Sequence, residues 1–124
     1  MKIISHSADA DGKVSAFLVA KKFNITDMKD IIMTDYGKGS DFLNKIEKDE
    51  KVIICDFSFE NGPDDMKKLL EITKDVTWID HHSSSLKCLE DEEILKKLLN
   101  YTNLNFIVNN EACGALLTYM YFNG

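Results

Sequence analysis

The chain has 124 residues, a formal net charge of −6 at pH 7, and 44% hydrophobic and 29% charged residues. This length predicts one domain with a substantial core, and the composition is that of a soluble globular protein without a membrane span. All 15 basic residues are lysine, so the chain lacks the guanidinium fork that clamps phosphate, and its negative charge disfavours binding to long duplex nucleic acid.

The cysteines and the first residues bear on the cellular compartment. Cys55, Cys88 and Cys113 are odd in number, widely spaced and without C-x-x-C pairing, which favours reduced thiols. The chain opens directly on a strand-like segment rather than on a secretory signal. We therefore expect a cytoplasmic protein.

Strand-like and helix-like segments alternate along the first half of the chain. Ile3 and Ile4 predict a short buried strand. Apolar residues at helical spacing then predict a helix after Gly12: Val14, Phe17, Leu18 and Phe23. The range 30–34 predicts a second strand, and Gly37 and Gly39 predict a turn. A second helix is predicted from the residues that follow this turn: Phe42, Leu43 and Ile46.

The alternation continues in the second half. The range 52–55 is apolar throughout, as in strands buried on both faces of a parallel sheet, and 76–79 predicts the fourth strand. The range 61–63 predicts a turn, after which Asp64 is the predicted N-cap of a helix. The helix after Asp64 is predicted from Met66, Leu69 and Leu70, and another helix from Ile94, Leu95, Leu98 and Leu99. A fifth strand is predicted from Phe106, Ile107 and Val108. A last helix is predicted from Ala112, Ala115, Leu116, Tyr119 and Met120.

This order of elements predicts an α/β fold, a parallel sheet of about five strands with helices on both faces. In such sheets the C-terminal ends of all strands lie along one edge, where ligands bind. Seven acidic and histidine side chains follow predicted strands: His6, Asp9 and Asp11 after the first, Asp56 after the third, and Asp80, His81 and His82 after the fourth. We expect them to converge at that edge.

Such a cluster has the chemistry of a metal site. Crowded carboxylates repel one another unless cations lie between them. Mixed histidine and aspartate ligands suit manganese, iron or zinc, whereas calcium prefers oxygen ligands only and structural zinc usually takes cysteine. About seven candidate ligands suffice for two ions, and ions about 4 Å apart are the usual device for activating water against a phosphate ester.

Other polar and apolar residues are assigned structural roles. Asp35 follows the second strand and is predicted to be a solvated turn residue. Lys13 and Lys87 are predicted to be solvated, and the methionine and aromatic positions, including Trp78, are predicted to lie in the core.

The motifs resemble those of the DHH phosphoesterases. The range 6–12, with the pattern His-x2-Asp-x-Asp-Gly, is similar to the first motif of that family, Asp56 to the second and the range 80–82 to the third. The resemblance spans the whole chain and implies that residues 1–124 form the family's N-terminal catalytic domain, a Rossmann-like domain.

The resemblance also implies a role for each matched residue. It assigns His6 and Asp9 to one manganese ion, Asp11 and His81 to a second, Asp56 to both, and catalysis to His82 with Asp80. The serines that follow, Ser83, Ser84 and Ser85, are candidates to cap the next helix or to bind a phosphate at its N-terminus.

Two features depart from the family pattern. The family's fourth motif supplies another aspartate to the second ion, whereas the range 109–115 has none, which leaves Glu111 and Asn109 as candidates to replace it. Members also carry a C-terminal substrate-binding domain, and the chain stops at Gly124. We therefore expect a missing C-terminal domain or a partner chain, such as a second copy, to complete the cleft.

The expected activity is manganese-dependent hydrolysis of a small phosphodiester, such as a short oligonucleotide, a cyclic dinucleotide or a related nucleotide. Pyrophosphate and single-stranded DNA are the alternative substrates, and a degenerate module that binds metal and senses nucleotides is the alternative without catalysis. A receiver-type phosphoacceptor domain also explains Asp11 and Asp56. It fails at 80–82, because a receiver has a small hydroxyl residue after its fourth strand.

Overall fold

Five strands form a single sheet in which all neighbouring strands run parallel, in the order β2-β1-β3-β4-β5. The computed structural model describes residues 1–7, 9–35, 41–59 and 63–123. The strands are β1 (Lys2–His6), β2 (Ile31–Thr34), β3 (Lys51–Cys55), β4 (Asp75–Asp80) and β5 (Leu104–Val108). Because β2 and β3 lie on opposite sides of β1, the strand order reverses beside β1, and ligands bind next to such a reversal in open α/β sheets.

Helices connect the strands. They are α1 (Ala10–Lys22), α2 (Pro63–Ile72), α3 (Ser83–Glu90), α4 (Glu92–Leu99) and α5 (Gly114–Asn123). Two short 3₁₀ helices, Met28–Asp30 and Asp41–Lys45, flank β2. Within the described ranges, no helix combines the length and the apolar content that crossing a bilayer requires.

Alternate residues of the central strands pack on opposite faces of the sheet. Ile4 and Ile54 belong to one buried cluster, which α2 and α4 cover. Ile3 and Ile53, their neighbours along the strands, belong to a second cluster, which α1 covers. The predicted α/β fold with helices on both faces of a parallel sheet is therefore confirmed.

The face of α1 that packs on the sheet differs from the predicted face. The prediction included Val14 and Phe17, whose exposed fractions are 46% and 63%. The residues that α1 buries are mostly small: Gly12, Ser15, Ala16, Val19 and Ala20. Small side chains allow the helix to approach the sheet closely, and a search for large apolar residues at helical spacing overlooks such a face.

The prediction that all methionine and aromatic positions lie in the core is also wrong in part. Trp78 is buried, and its Nε1–H donates to the Phe57 carbonyl oxygen at 2.9 Å. In contrast, Met28, Tyr119 and Met120 are exposed. Tyr119 and Met120 were assigned to the buried face of the last helix from spacing alone, whereas the residues that α5 buries are Gly114, Leu117 and Thr118.

Several element boundaries differ from the prediction. The second predicted helix is only the 3₁₀ helix Asp41–Lys45. Asp64 lies inside the first turn of α2, because the helix begins at Pro63, a residue that suits a first helical position. The helix α3 was not predicted as a separate element. The predicted turns at Gly37 and Gly39 and at 61–62 lie outside the described residues.

Gly12 marks a close approach between α1 and β1. A Cβ atom at this position would lie 2.0 Å from the carbonyl oxygen of His6, well inside van der Waals contact. Ser5 Oγ also donates to the Gly12 carbonyl oxygen at 2.8 Å. The end of β1 and the first turn of α1 are therefore held in contact through backbone atoms.

We expect Gly12→Ala to lower the free energy of unfolding by about 3 kcal/mol, the upper end of the usual cost of overpacking, because a backbone carbonyl cannot move aside. Urea denaturation of the metal-free protein measures the effect. Lys13→Ala, at the exposed neighbouring position, is the control and should stay within about 0.5 kcal/mol of the parent. Equal midpoints for both variants would contradict the contact.

Candidate metal centre

The end of β1 and the start of α1 bring together His6 and Asp9. His6 is the last residue of β1 and is buried. Asp9 is the N-cap of α1, where its Oδ1 accepts the Gly12 N–H at 2.9 Å. The Oδ2 atom of Asp9 lies 3.5 Å from Nδ1 of His6. The helix cap thus fixes one carboxylate oxygen and directs the other toward the imidazole.

Asp11 joins the first motif to the last helix. Its Oδ2 and Oδ1 accept the N–H groups of Gly114 and Ala115 at 2.9 and 2.7 Å, at the N-terminus of α5. The same Oδ2 lies 3.2 Å from Nε2 of His81. Burial acts to raise the pKa of Asp11, but hydrogen bonds with the Ala115 N–H, Asp56, the Gly114 N–H and Cys113 together outweigh it, and the pKa is lowered overall. Asp11 is therefore held as an anion beside His81.

Asp56 follows β3 and lies at the centre of the site. It has a φ of 53°, in the left-handed region that non-glycine residues seldom adopt, and it is fully buried. Its Oδ1 is 2.8 Å from Nε2 of His81. Its Oδ2 is buried and has no hydrogen-bond partner among the described residues. Burial, and then the proximity of Asp11, raises the pKa of Asp56 to about 8.

Asp80 and His82 form a second carboxylate–imidazole pair. Asp80 ends β4 and is fully buried, whereas the side chain of His82 is half-buried. The two side chains meet at 2.6 Å, between Oδ1 of Asp80 and Nδ1 of His82. The hydrogen bond to Asp80 raises the pKa of His82, and burial opposes this effect. The fully buried Asp80 thus holds the ring of His82 through this contact.

Among the described residues, two groups of side chains have ligand atoms close enough to share an ion. In each group the ligand atoms lie within 4.8 Å of one another. One group contains His6, Asp9 and Asp56, and the other contains Asp56, Asp80, His81 and His82. Asp56 belongs to both groups. The seven side chains predicted to converge thus meet at one edge of the sheet, with Asp11 joined to them through His81.

Asp35 lies beside the site, a position that the sequence did not indicate, and its side chain is 44% exposed. It was predicted to be a solvated turn residue, but Ser7 Oγ donates to its Oδ1 at 2.5 Å, and that oxygen lies 3.7 Å from Nε2 of His6. The strand order explains these contacts, because β2 pairs with β1 and Asp35 directly follows Thr34, the last residue of β2.

The range 109–115 contributes backbone atoms rather than a carboxylate. Glu111 is exposed, and it belongs to neither of the two groups found among the described residues. Asn109 Oδ1 accepts the Glu111 N–H at 3.1 Å, so these two candidates contact each other locally. Gly114 instead contacts the site, since a Cβ atom there would lie 2.6 Å from Oδ1 of Asp56. The sequence pattern pointed to an acidic residue in this range, and Gly114 has no side chain that would indicate its contact with Asp56.

The three serines after the third motif form the first turn of α3. The N-cap position is His82, which makes no side-chain capping bond, so the predicted capping role of the serines is wrong. Ser83 and Ser84 are exposed, while Ser85 is buried. Lys13 and Lys87 are exposed, as predicted.

The donor set fits divalent ions. A buried carboxylate oxygen without a protein partner is costly unless a cation or a proton compensates it. The raised pKa of Asp56 expresses the same cost in terms of proton binding, because burial and the negative charge of Asp11 both disfavour its ionised form. An ion between these oxygens and the neighbouring imidazole nitrogens would remove both penalties.

A model of the N-terminal domain of the DHH family matches residues 1–123. No curated protein and no solved structure matches the chain significantly. The family match confirms the resemblance inferred from the three motifs, and it spans nearly the entire chain. The chain therefore belongs to the DHH family, whose members are generally phosphoesterases that depend on divalent metal ions.

Proposed function

We propose that the chain is a manganese-dependent phosphoesterase that hydrolyses a small phosphodiester, such as a short oligonucleotide or a cyclic dinucleotide. The position of Asp56 carries the proposal. This buried carboxylate belongs to both candidate metal groups, has one oxygen on His81, and has its other oxygen without a partner among the described residues. A bridging ligand between two ions needs this combination of a central position and an available oxygen.

The first proposed ligand set is one of the two groups, and the second consists of His81 and the two carboxylates that contact its Nε2, those of Asp11 and Asp56. His6, Asp9 and Asp56 would hold one ion, and Asp11, Asp56 and His81 would hold the other. Mixed nitrogen and oxygen ligands suit manganese and do not resemble a calcium site or a cysteine-rich zinc site. When bound, the ions supply a Lewis acid that activates water and stabilises the negative charge that develops on the phosphoryl group.

The remaining residues position the ligands and the substrate. The N-terminus of α5 orients Asp11 through two N–H groups, as outer partners commonly orient metal ligands. Asp80 fixes the ring of His82 through Nδ1. The nitrogen on the opposite side of that ring, Nε2, is assigned the contact with the phosphate and with the proton that moves during turnover.

The charge of the chain supports a small substrate. A net charge of −6 and the absence of arginine give little attraction for a long phosphate backbone. Pyrophosphate and short single strands remain alternative substrates of the same site. The absence of an aspartate from the range 109–115 favours a second candidate, a module that binds metal and senses a nucleotide without cleaving it.

The first test joins metal binding to turnover. The protein freed of metal by a chelator should not hydrolyse bis(p-nitrophenyl) phosphate, and added Mn²⁺ should restore hydrolysis. Asp56→Asn should weaken Mn²⁺ binding by more than the roughly 100-fold cost of losing an outer partner, because the carboxylate would contact both ions. Calorimetric titration with Mn²⁺ measures the affinity.

The matched control is Asp75→Asn, at the opposite end of β4, where the carboxylate makes only long contacts, with Asn105 Nδ2 at 3.5 Å and Lys51 Nζ at 3.9 Å. It should bind Mn²⁺ as the parent does. Parent-like Mn²⁺ binding by Asp56→Asn would exclude the bridging role. If the parent protein binds Mn²⁺ but cleaves none of the three substrates, the diester, pyrophosphate and a dinucleotide, the result would favour the module that binds metal and senses a nucleotide.

We expect His82→Ala to retain bound Mn²⁺ while its kcat falls by about 100-fold or more, the usual contribution of a positioned acid or base. His81→Ala should lose both metal and activity, because His81 lies against Asp11 and Asp56. Elemental analysis and the diester assay measure the two properties. A His82→Ala variant that lost its metal as fully as His81→Ala would contradict this division of roles.

Gly114→Ala tests the contact between α5 and the site. The added methyl group would meet the Asp56 side chain at 2.6 to 2.9 Å, so Mn²⁺ affinity should fall by about 10-fold to 100-fold. Alanine favours a helix over glycine by about 1 kcal/mol, so weaker binding would not reflect a weaker helix. Leu116→Ala, at an exposed position of α5, is the control, and equal Mn²⁺ affinities of the two variants would exclude the contact.

A further inference from the structure

A chain of hydroxyl groups lies behind the Asp80–His82 pair. Ser85 Oγ donates to Oδ2 of Asp80 at 2.5 Å and lies 2.9 Å from Ser58 Oγ. Ser58 Oγ in turn lies 2.6 Å from Ser84 Oγ. Ser58 and Ser85 are 4% and 2% exposed, so the contacts of Ser85 with Asp80 and Ser58 are shielded from water, whereas Ser84 is exposed.

The backbone determines where these serines lie. The N–H groups of Ser85 and Leu86 donate to the His82 carbonyl oxygen at 3.1 and 3.2 Å, which forms the first turn of α3. This turn returns Ser85 to Asp80, five residues earlier in the sequence. Ser58 lies two residues beyond Asp56, so the serine pair joins the segment after β3 to the segment after β4.

The two oxygens of Asp80 have different partners. Oδ1 contacts Nδ1 of His82, and Oδ2 accepts from Ser85. A carboxylate bound at one oxygen only can rotate about its Cβ–Cγ bond, and a second hydrogen bond removes that freedom. Because Asp80 is fully buried, the serine bond fixes the plane of the carboxylate and, through it, the plane of the imidazole.

We propose that Ser85, supported by Ser58, is a positioning residue that fixes the orientation and the Nδ1–H tautomer of His82 for its contact with the phosphate. This inference rests on the proposed function, since it assigns the purpose of the orientation to phosphodiester hydrolysis. Neither serine touches the substrate in this assignment. Ser85 acts through Asp80 and His82, and Ser58 acts through Ser85.

The test compares Ser85→Ala and Ser58→Ala with a matched loss of a buried hydroxyl elsewhere. Thr73→Val is the control, because Thr73 Oγ1 is buried and donates to the Leu69 carbonyl oxygen at 2.8 Å, just before the start of β4. Melting temperature, bound Mn²⁺ and the kinetics of bis(p-nitrophenyl) phosphate hydrolysis are measured for all three variants. A misplaced catalytic group commonly costs about 100-fold, so kcat of Ser85→Ala should fall by about 10-fold to 100-fold with little change in KM or in bound Mn²⁺.

A second measurement does not depend on activity. Long-range ¹H–¹⁵N correlation spectra of the metal-free protein identify the tautomer of each of the three histidines. We expect one Nδ1–H form assigned to His82 in the parent and in Thr73→Val, and a mixture of forms in Ser85→Ala. Ser58→Ala should show a smaller change in the same direction.

The two measurements separate the two proposals. If the parent protein hydrolyses no phosphate ester but Ser85→Ala alters the His82 tautomer, the positioning contact is supported and the proposed reaction is wrong. If Ser85→Ala keeps the parental tautomer, or if its kcat falls no more than that of Thr73→Val, the positioning role is wrong. A Ser85→Ala protein that does not fold, while Ser58→Ala folds with parental kinetics and tautomer, would also overturn it.

Discussion

The burial of the Asp56 carboxylate is the interaction on which the rest of the site depends. Its backbone N–H donates to the Ile79 carbonyl oxygen at 2.9 Å, which ties the turn after β3 to the end of β4. The positive φ of Asp56 costs free energy for a residue with a side chain. The fold maintains this conformation together with a carboxylate whose pKa is raised to about 8 by burial and by Asp11. Such costs are typical of sites that a ligand stabilises.

Two kinds of outer contact control the charged groups around Asp56. The helix N-terminus at Gly114 and Ala115 lowers the pKa of Asp11, opposing burial. The fully buried Asp80 raises the pKa of His82 through a hydrogen bond. One contact uses backbone dipoles and the other uses a side chain. The site therefore has a carboxylate with a lowered pKa, Asp11, on one side of His81 and an imidazole with a raised pKa, His82, on the other.

The sequence predicted the sheet and the convergence of the site because both depend on strand ends. Continuous apolar runs such as 52–55 mark buried parallel strands, and a polar residue directly after such a run must lie at the ligand-binding edge. The prediction failed where close packing of small groups determines the contact. The buried face of α1 uses Ala16 and Gly12, and the contact of α5 with Asp56 uses Gly114, and none of these residues has a side chain whose polarity or size signals its partner. The contacts of Asp35 with Ser7 and His6 were not predicted, because the neighbour of β2 in the sheet is known only once the strand order is known.

The contact between Asp11 and the start of α5 joins residues 103 positions apart in the sequence. Closing so long a loop is entropically costly, and contacts of this separation usually form late in folding. Translation adds a further constraint, because the ribosome completes the first three motifs well before it reaches Gly114. A nascent chain can therefore form β1, β3 and β4 while one of its acidic side chains lacks the N–H groups that later restrain it. The native geometry at this edge can therefore form only after α5 has emerged from the ribosome.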